Sequence, residues 1–436
     1  MNIKDILKAT NGKLYNKINI NETYNHIKID SKKIKKNDIF IAIKGKKYDG
    51  HNFINEIAKK AKIIISEKKL NINCPYILVE DTIKSMGDIA KYMIKKYKPN
   101  VIAITGSVGK TTTRNIIYNL LKTKYNVLTN KKNYNNNIGV PLTIFNLNEK
   151  IDILLLEIGM NHLKELSYLS KIISPNTSVI TNIGSSHIGK LKSKENILMA
   201  KLEILDGMEK ELLFINGDDE YLKNIMNVKL IKSGFNKDND LIGYNLKTSL
   251  YSSTFNIKYK SKEYKININL PKHLLNNVLN SISIALYYKI DINKVINTLK
   301  KYKTYNQRMT IEKDKNKNTI INDCYNSSFE SLTGILEVLK NEKQKKLLIL
   351  GDIKELGDKS KEIHQKIKKY LDKIDNKQII FAGEEMKNIK TKAKYFNNYI
   401  EVINYLKRQK IKDTLILIKA SHSLKFTNIV NYFMNK

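Results

Sequence analysis

A lysine and a threonine at the end of a glycine loop are the residues of this sequence best suited to chemistry. The segment 105–113 reads TGSVGKTTT, in which Lys110 and Thr111 follow Gly109. Such a loop presents backbone N–H groups and a helix N-terminus to a phosphate, and its lysine and hydroxyl suit the terminal phosphates and Mg²⁺. The glycine usually found six positions before the lysine is replaced by Ile104. We interpret the loop as a nucleotide site, against the alternative of a plain turn between a strand and a helix.

Glu157 is the second candidate, because it ends the apolar run IDILLLE. The carboxyl ends of parallel strands border the crevice in which α/β sheets bind ligands, and a carboxylate beside a nucleotide loop is well placed to bind Mg²⁺. The alternative is a surface glutamate. The asparagines of NYNNNIGVP are either turn residues or substrate contacts. From the residues alone, His187 and Lys201 are not distinguished from a structural histidine and a solvated lysine.

These residues require strands and helices that bring them together. The run 101–104 is apolar and mostly β-branched, and helix-periodic apolar residues follow the loop. Further strands are predicted at 153–158 and 178–181, a β-hairpin at 253–270 and a helix at 272–288. Because strands and helices alternate, we expect an α/β fold whose central parallel sheet is covered by helices on both faces.

The pattern divides the chain into three domains, at 1–97, 98–305 and 306–436. The first is a small α/β unit with strands at 39–43, 63–65 and 76–79, helices at 53–61 and 83–97, and a ligand-facing loop at 44–53. Pro99 marks its end. The third is a second doubly wound, Rossmann-like sheet without a phosphate loop, with strands at 319–321, 347–350, 379–382 and 415–418.

The composition indicates a cytoplasmic globular protein. The 436 residues contain no apolar run near the ~18 residues of a membrane span, and the first residues lack the apolar core of a signal peptide. Cys74 and Cys324 suggest no disulfide framework or zinc site. The net charge of +36 raises a nucleic-acid hypothesis. Since lysines occur along the whole chain, we interpret them mostly as solvated faces that attract anionic substrates such as phosphates.

Ordered segments of the sequence resemble the Mur ligase family: TGSVGKTTT, NYNNNIGVPLT, LLLEIGMNHLKEL, SPNTSVITNIGSSHIGKLKSKENILMAKLEIL, INDCYNSS and LGDIKELG. The resemblance extends over residues 30–426. It implies a first domain that binds a uridine diphosphate group, a second that binds ATP and a third that closes over both. It also implies an ADP-forming ligase of cell-wall peptidoglycan synthesis. ATP would phosphorylate the carboxylate of UDP-N-acetylmuramoyl-tripeptide, and the amine of D-alanyl-D-alanine would then attack the acyl phosphate.

The resemblance also implies residue roles. It assigns ATP contacts to Thr105, Gly106, Ser107, Val108, Gly109, Lys110, Thr111, Thr112, Asn277, Arg308, Asp323, Tyr325 and Asn326. It assigns magnesium ligation to Thr111, Glu157, His187 and a carbamylated Lys201, which with Lys110 supply the catalytic set. It assigns substrate contacts to Ser31, Lys44, Asp49, Gly50, His51, Asn135, Asn136, Lys419 and Ser421.

The sequence departs from the family at several positions. Pro271 and Leu274 replace a glycine and an asparagine of GxHNxxN, Ser328 and Phe329 replace the last asparagine and the proline of DDxYNANP, and His422 replaces the arginine of KGSR. We expect these changes to affect binding more than phosphoryl transfer. The alternatives are a sister ligase that adds a single amino acid, a nucleic-acid-stimulated ATPase and a non-catalytic binding protein. A monomer is expected, and lysine or diaminopimelate remains open at the third position of the peptide.

Overall fold

The structure is a computed structural model that describes residues 1–45, 48–131, 133–210, 212–304 and 307–435. Three separate β-sheets follow one another along these residues, and helices pack against each of them. The three-domain α/β architecture is therefore confirmed. The boundaries after residues 97 and 305 stay predictions, and residues 305 and 306 lie outside the described ranges. So do residues 46 and 47 of the loop 44–53.

The first domain contains a sheet with the strand order β1-β5-β4-β3-β2, in which only β1 is antiparallel within the described residues. Its elements are α1 (Ile3–Thr10), β1 (Lys13–Tyr15), β2 (Ile27–Lys28), β3 (Ile39–Ile41), α2 (Ile54–Ile57), β4 (Ile63–Ser66), β5 (Tyr76–Leu78) and α3 (Thr82–Tyr97). The three predicted strands and the second helix are present. The helix predicted at 53–61 is shorter: it begins at Ile54, after a 3₁₀ turn at Gly50–Phe53 that Asp49 caps by accepting the N–H of His51, and it ends at Ile57.

The central domain contains a sheet with the order β14-β13-β12-β11-β10-β9-β6-β8-β7. Its strands are β6 (Asn100–Thr105), β7 (Val127–Thr129), β8 (Ile153–Glu157), β9 (Thr177–Ile180), β10 (Leu212–Asn216), β11 (Lys229–Gly234), β12 (Leu241–Thr248), β13 (Ser253–Tyr259) and β14 (Lys262–Ile268). Its helices are α4 (Lys110–Leu121), α5 (Gly139–Ile144), α6 (Glu165–Ile173), α7 (Ile188–Leu191), α8 (Lys194–Leu202), α9 (Leu275–Tyr287) and α10 (Ile292–Lys300).

The parallel part of this sheet runs from β7 to β12, and the predicted hairpin forms its edge as β13 and β14. The expected parallel sheet is thus a mixed one. β6 and β8 are adjacent, buried and parallel, and their register pairs Ile104 with Glu157. This pairing places the end of β8 beside the loop that follows β6. The sheet therefore brings the two leading candidate sites to one edge.

The third domain contains a sheet with the order β15-β16-β20-β17-β18-β19, in which β15 is antiparallel to β16. Its elements are β15 (Thr310–Lys313), β16 (Thr319–Asp323), α11 (Phe329–Leu339), β17 (Lys346–Gly351), α12 (Ser360–Leu371), β18 (Lys377–Ala382), β19 (Lys394–Phe396), α13 (Tyr399–Lys407), β20 (Leu415–Lys419) and α14 (Thr427–Met434). The four predicted strands are present. Of all helices in the described ranges, none has the length and apolar character needed to cross a membrane.

The two domain interfaces differ in chemistry. α3 packs on α5 and α6, and its buried Ile89 belongs to the same apolar cluster as Leu169 and Ile173 of α6. The first and central domains therefore share a core. The third domain meets the central one through hydrogen bonds and ion pairs, together with a small apolar contact that includes Leu250 and Leu274.

We predict that Ile89→Ala lowers the free energy of unfolding by about 2–5 kcal/mol, because it leaves a cavity in this shared core. Urea denaturation measures the change. The control is Lys91→Ala, an exposed position on the same helix, for which we expect a change within about 0.5 kcal/mol. A loss below about 1 kcal/mol for Ile89→Ala would show that α3 does not join the two domains.

Candidate functional site

The loop between β6 and α4 is held in place by hydrogen bonds to the segment that follows β9. The N–H of Ser107 donates to the carbonyl of Asn182 at 3.1 Å, and the N–H of Val108 donates to Asn182 Oδ1 at 2.8 Å. Thr181 Oγ1 donates to the carbonyl of Val108 at 2.5 Å. The loop is thus a pre-formed element, whose shape is set by a neighbouring strand end.

Two glycines of this loop have no acceptable substitute. Gly106 has φ of 145° and Gly109 has φ of 87°, both in the region that favours glycine. A Cβ on Gly106 would overlap Thr181 Oγ1, and a Cβ on Gly109 would lie 2.6 Å from the side-chain amide of Asn277. The backbone at these positions is therefore closely backed by protein.

Four cationic side chains surround the loop, and burial disfavours the charge of three of them, Lys110, Arg114 and Lys201. Burial lowers the pKa of the Lys110 ammonium, while the carboxylate of Glu157 opposes that shift. Burial also lowers the pKa of the Arg114 guanidinium, and Arg308 lies close enough to act on both groups. For Lys201, burial and then the charge of Lys110 hold the pKa well below its usual value. An anion such as a triphosphate would relieve this repulsion, so the site is suited to phosphate.

Glu157 is the anionic centre of the site. Its Oε2 accepts a hydrogen bond from Thr111 Oγ1 at 2.7 Å and lies 3.4 Å from Arg114 Nη1. Its Oε1 accepts a hydrogen bond from Asn135 Nδ2 at 3.1 Å. Asn130 fixes its backbone by accepting the Glu157 N–H at 3.0 Å and donating to the Glu157 carbonyl at 2.7 Å. The side chain is only 3% exposed, and its position is determined on every side.

The donors present fit a magnesium ion at this point. The Thr111 hydroxyl and the Glu157 carboxylate, whose oxygens lie 2.7 Å apart, are hard oxygen ligands. Mg²⁺ in phosphate sites typically uses one or two protein groups plus phosphate oxygens. Within the described ranges, no cluster of three or more histidine, cysteine, aspartate or glutamate side chains is arranged to hold a metal. The arrangement therefore suits a cation that is completed by a phosphate ligand.

His187 lies at the boundary with the third domain. Its Nδ1 is 2.8 Å from Glu355 Oε2, and this contact is the main cause of a lowered pKa of Glu355. The N–H of Gly189 donates to the carbonyl of Glu355 at 3.1 Å. Gly189 also packs on Gly357 so closely that a Cβ on Gly357 would lie 2.7 Å from the Cα of Gly189. The segment that bears His187, directly before α7, is thus covered by the loop after β17.

The loop after β17 is anchored within the third domain by two side chains. His364 Nε2 accepts the N–H of Ile353 at 3.2 Å, while its Nδ1 donates to the carbonyl of Ser360 at 2.8 Å. Burial lowers the pKa of His364, which favours this neutral form. Ser421 Oγ donates to the carbonyl of Asp352 at 2.9 Å. Ser421, predicted to contact substrate, therefore also supports the loop.

The remaining third-domain candidates lie close to one another, near the ends of β16 and β20. The guanidinium carbon of Arg308 lies 3.8 Å from the centre of the Tyr325 ring, in cation–π geometry. Lys419 Nζ donates to Asp323 Oδ2 and, at 3.1 Å, to the carbonyl of Asn326. Asp323 Oδ1 also accepts the backbone N–H of Met309 at 3.3 Å. This pair is buried, so its position is fixed relative to the ends of β16 and β20.

One cleft of about 750 Å³ brings most of the predicted residues together. It lies between the central and third domains. The predicted site residues that line it are Ser107, Val108, Gly109, Lys110, Thr111, Thr112, Asn135, Asn136, Glu157, His187, Lys201, Asn277, Arg308, Asp323, Tyr325, Asn326, Lys419 and Ser421. Asn136 also accepts the N–H of Gly139 at 2.8 Å, which starts α5.

The substrate residues predicted in the first domain do not line this cleft. Asp49 accepts hydrogen bonds from the N–H and Nδ1 of His51, and these lower its pKa to about 2. Lys44 bridges to Asp49 through the backbone, while Ser31 lies in a different turn. His51 borders a separate groove with Lys68 and Lys69. Part of the predicted set is therefore engaged in bonds that shape its own loop.

The departures from the family pattern are accommodated locally. Ser328 is the N-cap of α11 and accepts the N–H of Ser331 at 3.2 Å, so the serine caps the helix as an asparagine would. Phe329 takes the first helical position, where a proline is also favoured. Leu274 packs against the cores of both the central and third domains. The ring of His422 lies 6.0 Å from that of Tyr325.

Several positioning residues were not predicted. They are Asn130, Arg114, Asn182, Glu330, Glu355 and His364. Asn182 follows the predicted strand β9, and Asn130 follows β7, which was not predicted. A polar residue directly after a strand is therefore a signal in the sequence for Asn182, whereas the signal for Asn130 depends on a strand seen only in the structure. Glu330 and Glu355 act across a domain boundary, and their partners are not near in sequence.

Comparisons with known proteins agree with this geometry. The sequence matches three family descriptions: Mur ligase family, catalytic domain, at residues 23–108; Mur ligase middle domain at 104–285; and Mur ligase, glutamate ligase domain, at 307–422. It is 33% identical to the UDP-N-acetylmuramoyl-tripeptide–D-alanyl-D-alanine ligase of Buchnera aphidicola subsp. Baizongia pistaciae, over 100% of this chain and 98% of the relative.

Solved structures show the same fold. MurF from Acinetobacter baumannii superposes with a TM-score of 0.92 at 24% identity, covering 100% of this chain and 99% of that one. The MurF ligase of Thermotoga maritima, solved in complex with ADP, gives a TM-score of 0.85 at 27% identity, covering 94% and 97%. The likeness extends over all three domains.

We predict that Gly109→Ala weakens ADP binding at least about 10-fold, because alanine is strained at positive φ and its Cβ would collide with Asn277. Titration calorimetry with ADP measures the affinity. The control is Gly45→Ala in a first-domain turn, where a Cβ would be 3.2 Å from its nearest neighbour. Unchanged ADP affinity in Gly109→Ala would contradict the assignment of the loop.

Proposed function

The chain belongs to the Mur ligase family, and we propose that it joins D-alanyl-D-alanine to UDP-N-acetylmuramoyl-tripeptide at the expense of ATP. The observation that carries this proposal is the full-length likeness to ligases with that activity. The cleft supports it, because it combines a phosphate loop with the buried side chains of Lys110 and Lys201, whose positive charge a phosphate would stabilise. The product would serve peptidoglycan synthesis, and hence the cell wall, cell shape and cell division.

The chemistry begins with a carboxylate, which is a poor electrophile until one oxygen becomes a good leaving group. ATP would transfer its terminal phosphoryl group to the peptide carboxylate. The resulting acyl phosphate would react with the amine of the dipeptide and release phosphate. Phosphoryl transfer depends on positioning and on neutralising charge. Lys110 and the backbone N–H groups of the loop would hold the transferred group, and Arg308 would approach it from the third domain.

Magnesium would be held by Thr111 and Glu157, and it would neutralise the phosphate oxygens. His187 is proposed as a ligand of a second cation, together with Lys201. An amine is a poor ligand for Mg²⁺, whereas a carbamate supplies anionic oxygen. The lowered pKa of Lys201 supports carbamylation, because CO₂ adds to the neutral amine. Within the described part of the chain, Lys201 Nζ makes no hydrogen bond or ion pair that would block this addition.

The other site assignments follow the same division of labour. Asn277 and Asp323, with Tyr325 and Asn326, would contact the nucleotide. Asn135 and Asn136 would face the muramoyl peptide, and Lys419 and Ser421 would contact substrate from the third domain. Ser31, Lys44, Asp49, Gly50 and His51 would form the uridine diphosphate site. We propose domain boundaries after residues 97 and 305, and a monomer acting in the cytoplasm, where ATP is available.

We predict phosphate release only when ATP, UDP-N-acetylmuramoyl-tripeptide and D-alanyl-D-alanine are present together with Mg²⁺. Lys110→Ala should lower this rate about 100-fold or more, because it removes charge stabilisation in the transition state. A coupled phosphate assay measures both effects, with the exposed Lys122→Ala as the control on the same helix segment. Equal stimulation by a single amino acid would favour a sister ligase. Stimulation by DNA or RNA instead of muropeptide would favour a nucleic-acid-dependent ATPase.

We predict that ¹³CO₂ produces a carbamate signal in the ¹³C NMR spectrum of the wild-type protein, and that Lys201→Met abolishes it. Ligase activity should fall at least about 10-fold in this variant, because a metal ligand is lost. The matched control is Lys346→Met. Lys346 is equally buried, but its Nζ already donates to two backbone carbonyls. A signal that persists in Lys201→Met would place the carbamate elsewhere.

A further inference from the structure

Glu330 makes a contact across the domain boundary that the proposed chemistry does not use. Its Oε1 accepts the backbone N–H of Ser185 at 2.7 Å, and its Oε2 accepts the Ser185 hydroxyl at 3.1 Å. Ser185 is only 4% exposed. Glu330 is half-buried at the edge of the cleft, and a carboxylate that accepts two hydrogen bonds forms a stronger contact than a neutral acceptor. This pair therefore ties α11 of the third domain directly to the central domain.

A second contact on the same helix has the same effect. Gly334 lies four residues after Glu330, so both positions share one face of α11. A Cβ on Gly334 would lie 2.9 Å from the Cβ of His273, in the 3₁₀ turn Lys272–Leu274 of the central domain. The helix approaches this turn closely only because position 334 has no side chain. The first half of α11 is thus a docking face against the central domain.

On the central-domain side, the residue before Ser185 is hydrogen-bonded to the phosphate loop. Ser185 follows Gly184, whose N–H donates to Ser107 Oγ at 2.9 Å. The third-domain end leads to the other wall of the cleft, since α11 follows the strand that ends at Asp323 and the loop that contains Tyr325. The Glu330–Ser185 contact therefore sets the separation between the phosphate loop and the third-domain residues that face it.

We propose that Glu330 is a positioning residue, which docks α11 on Ser185 and so holds the third domain closed over the phosphate loop. Its importance for ligation rests on the proposed function, whereas its control of closure rests on the contacts alone. Gly334 provides the close fit beside it. Removal of the carboxylate leaves the third domain folded, because α11 keeps its own cap and its apolar face.

The test compares closure with activity. We expect Glu330→Ala to speed amide exchange in residues 183–189 about 10-fold or more, because a charged acceptor is lost. The radius of gyration from small-angle X-ray scattering should rise, and kcat should fall. KM for the muropeptide should stay within about two-fold, since the uridine diphosphate site of the first domain and the proposed peptide contacts of Asn135 and Asn136 in the central domain are untouched. Glu330→Gln, which retains one acceptor oxygen, should restore part of the protection.

Two further variants separate docking from folding. Gly334→Ala should open the cleft in the same way, although alanine favours the helix itself and leaves α11 stable. Glu362→Gln is the charge-matched control, because Glu362 pairs only with Lys359 and Lys366 of its own domain in the described structure. Exchange and radius of gyration that stay unchanged in both Glu330→Ala and Gly334→Ala would overturn the proposal. Faster exchange throughout α11 in Glu330→Ala would also overturn it, since that result indicates a structural role.

The two proposals fail separately in this experiment. If the wild-type protein forms no product from the muropeptide and dipeptide, the proposed function is lost, while opening by Glu330→Ala still supports the docking role. If ligation proceeds and Glu330→Ala neither opens the cleft nor lowers kcat, the docking role is lost and the function stands.

Discussion

The site depends on the parallel pairing of β6 with β8. That register places Glu157 directly beside the start of the phosphate loop, where its carboxylate meets Thr111 and Arg114. A shift of the pairing by one residue would turn Glu157 to the other face of the sheet. Its burial is tolerable because each carboxylate oxygen has a donor and the backbone is clamped by Asn130. The sheet thus maintains a buried charge that would otherwise be costly.

A consequence is that several cationic side chains lie close together in the walls of the cleft. Lys110, Lys201 and Arg308 face a region in which Glu157 and Glu355 are the principal carboxylates acting on Lys110 among the described residues. Bringing a polyphosphate into this space supplies the missing negative charge. We therefore expect binding and closure to favour each other, because the third domain contributes the positive charge of Arg308 to the same field.

Much of this arrangement could be predicted from the sequence, where local pattern and function coincide. Glu157 ends β8, and Lys110 and Thr111 begin α4 after the loop that follows β6. Such positions can be located from apolar runs and from the glycines of the loop. His187 and Lys201 could be assigned only by resemblance, because their chemistry arises from contacts with Glu355 and from burial near Lys110.

Two of the strands that escaped prediction, β12 and β15, have a common cause. β15 is short and partly exposed, and β12 is mostly polar along its second half, so neither shows a clear apolar pattern. Both lie toward the antiparallel parts of their sheets, where one face meets water. Cross-domain partners such as Glu330 have no recognisable pattern in the local sequence.

The contrast between the shared apolar core of the first and central domains and the mainly polar contacts of the third domain is likewise a property of the assembled domains. Polar contacts exchange readily with water, so the third domain is the one able to move.

The contact between Gly189 and Gly357 has an evolutionary consequence. Each glycine occupies the space that a side chain on the other would need, although the two belong to different domains. A larger residue at either position would separate the two domains at this contact, and only a compensating change in the other domain would restore the contact. The two positions should therefore covary in related sequences. The pair of residues found there should indicate how closely the third domain of a given ligase approaches the central domain.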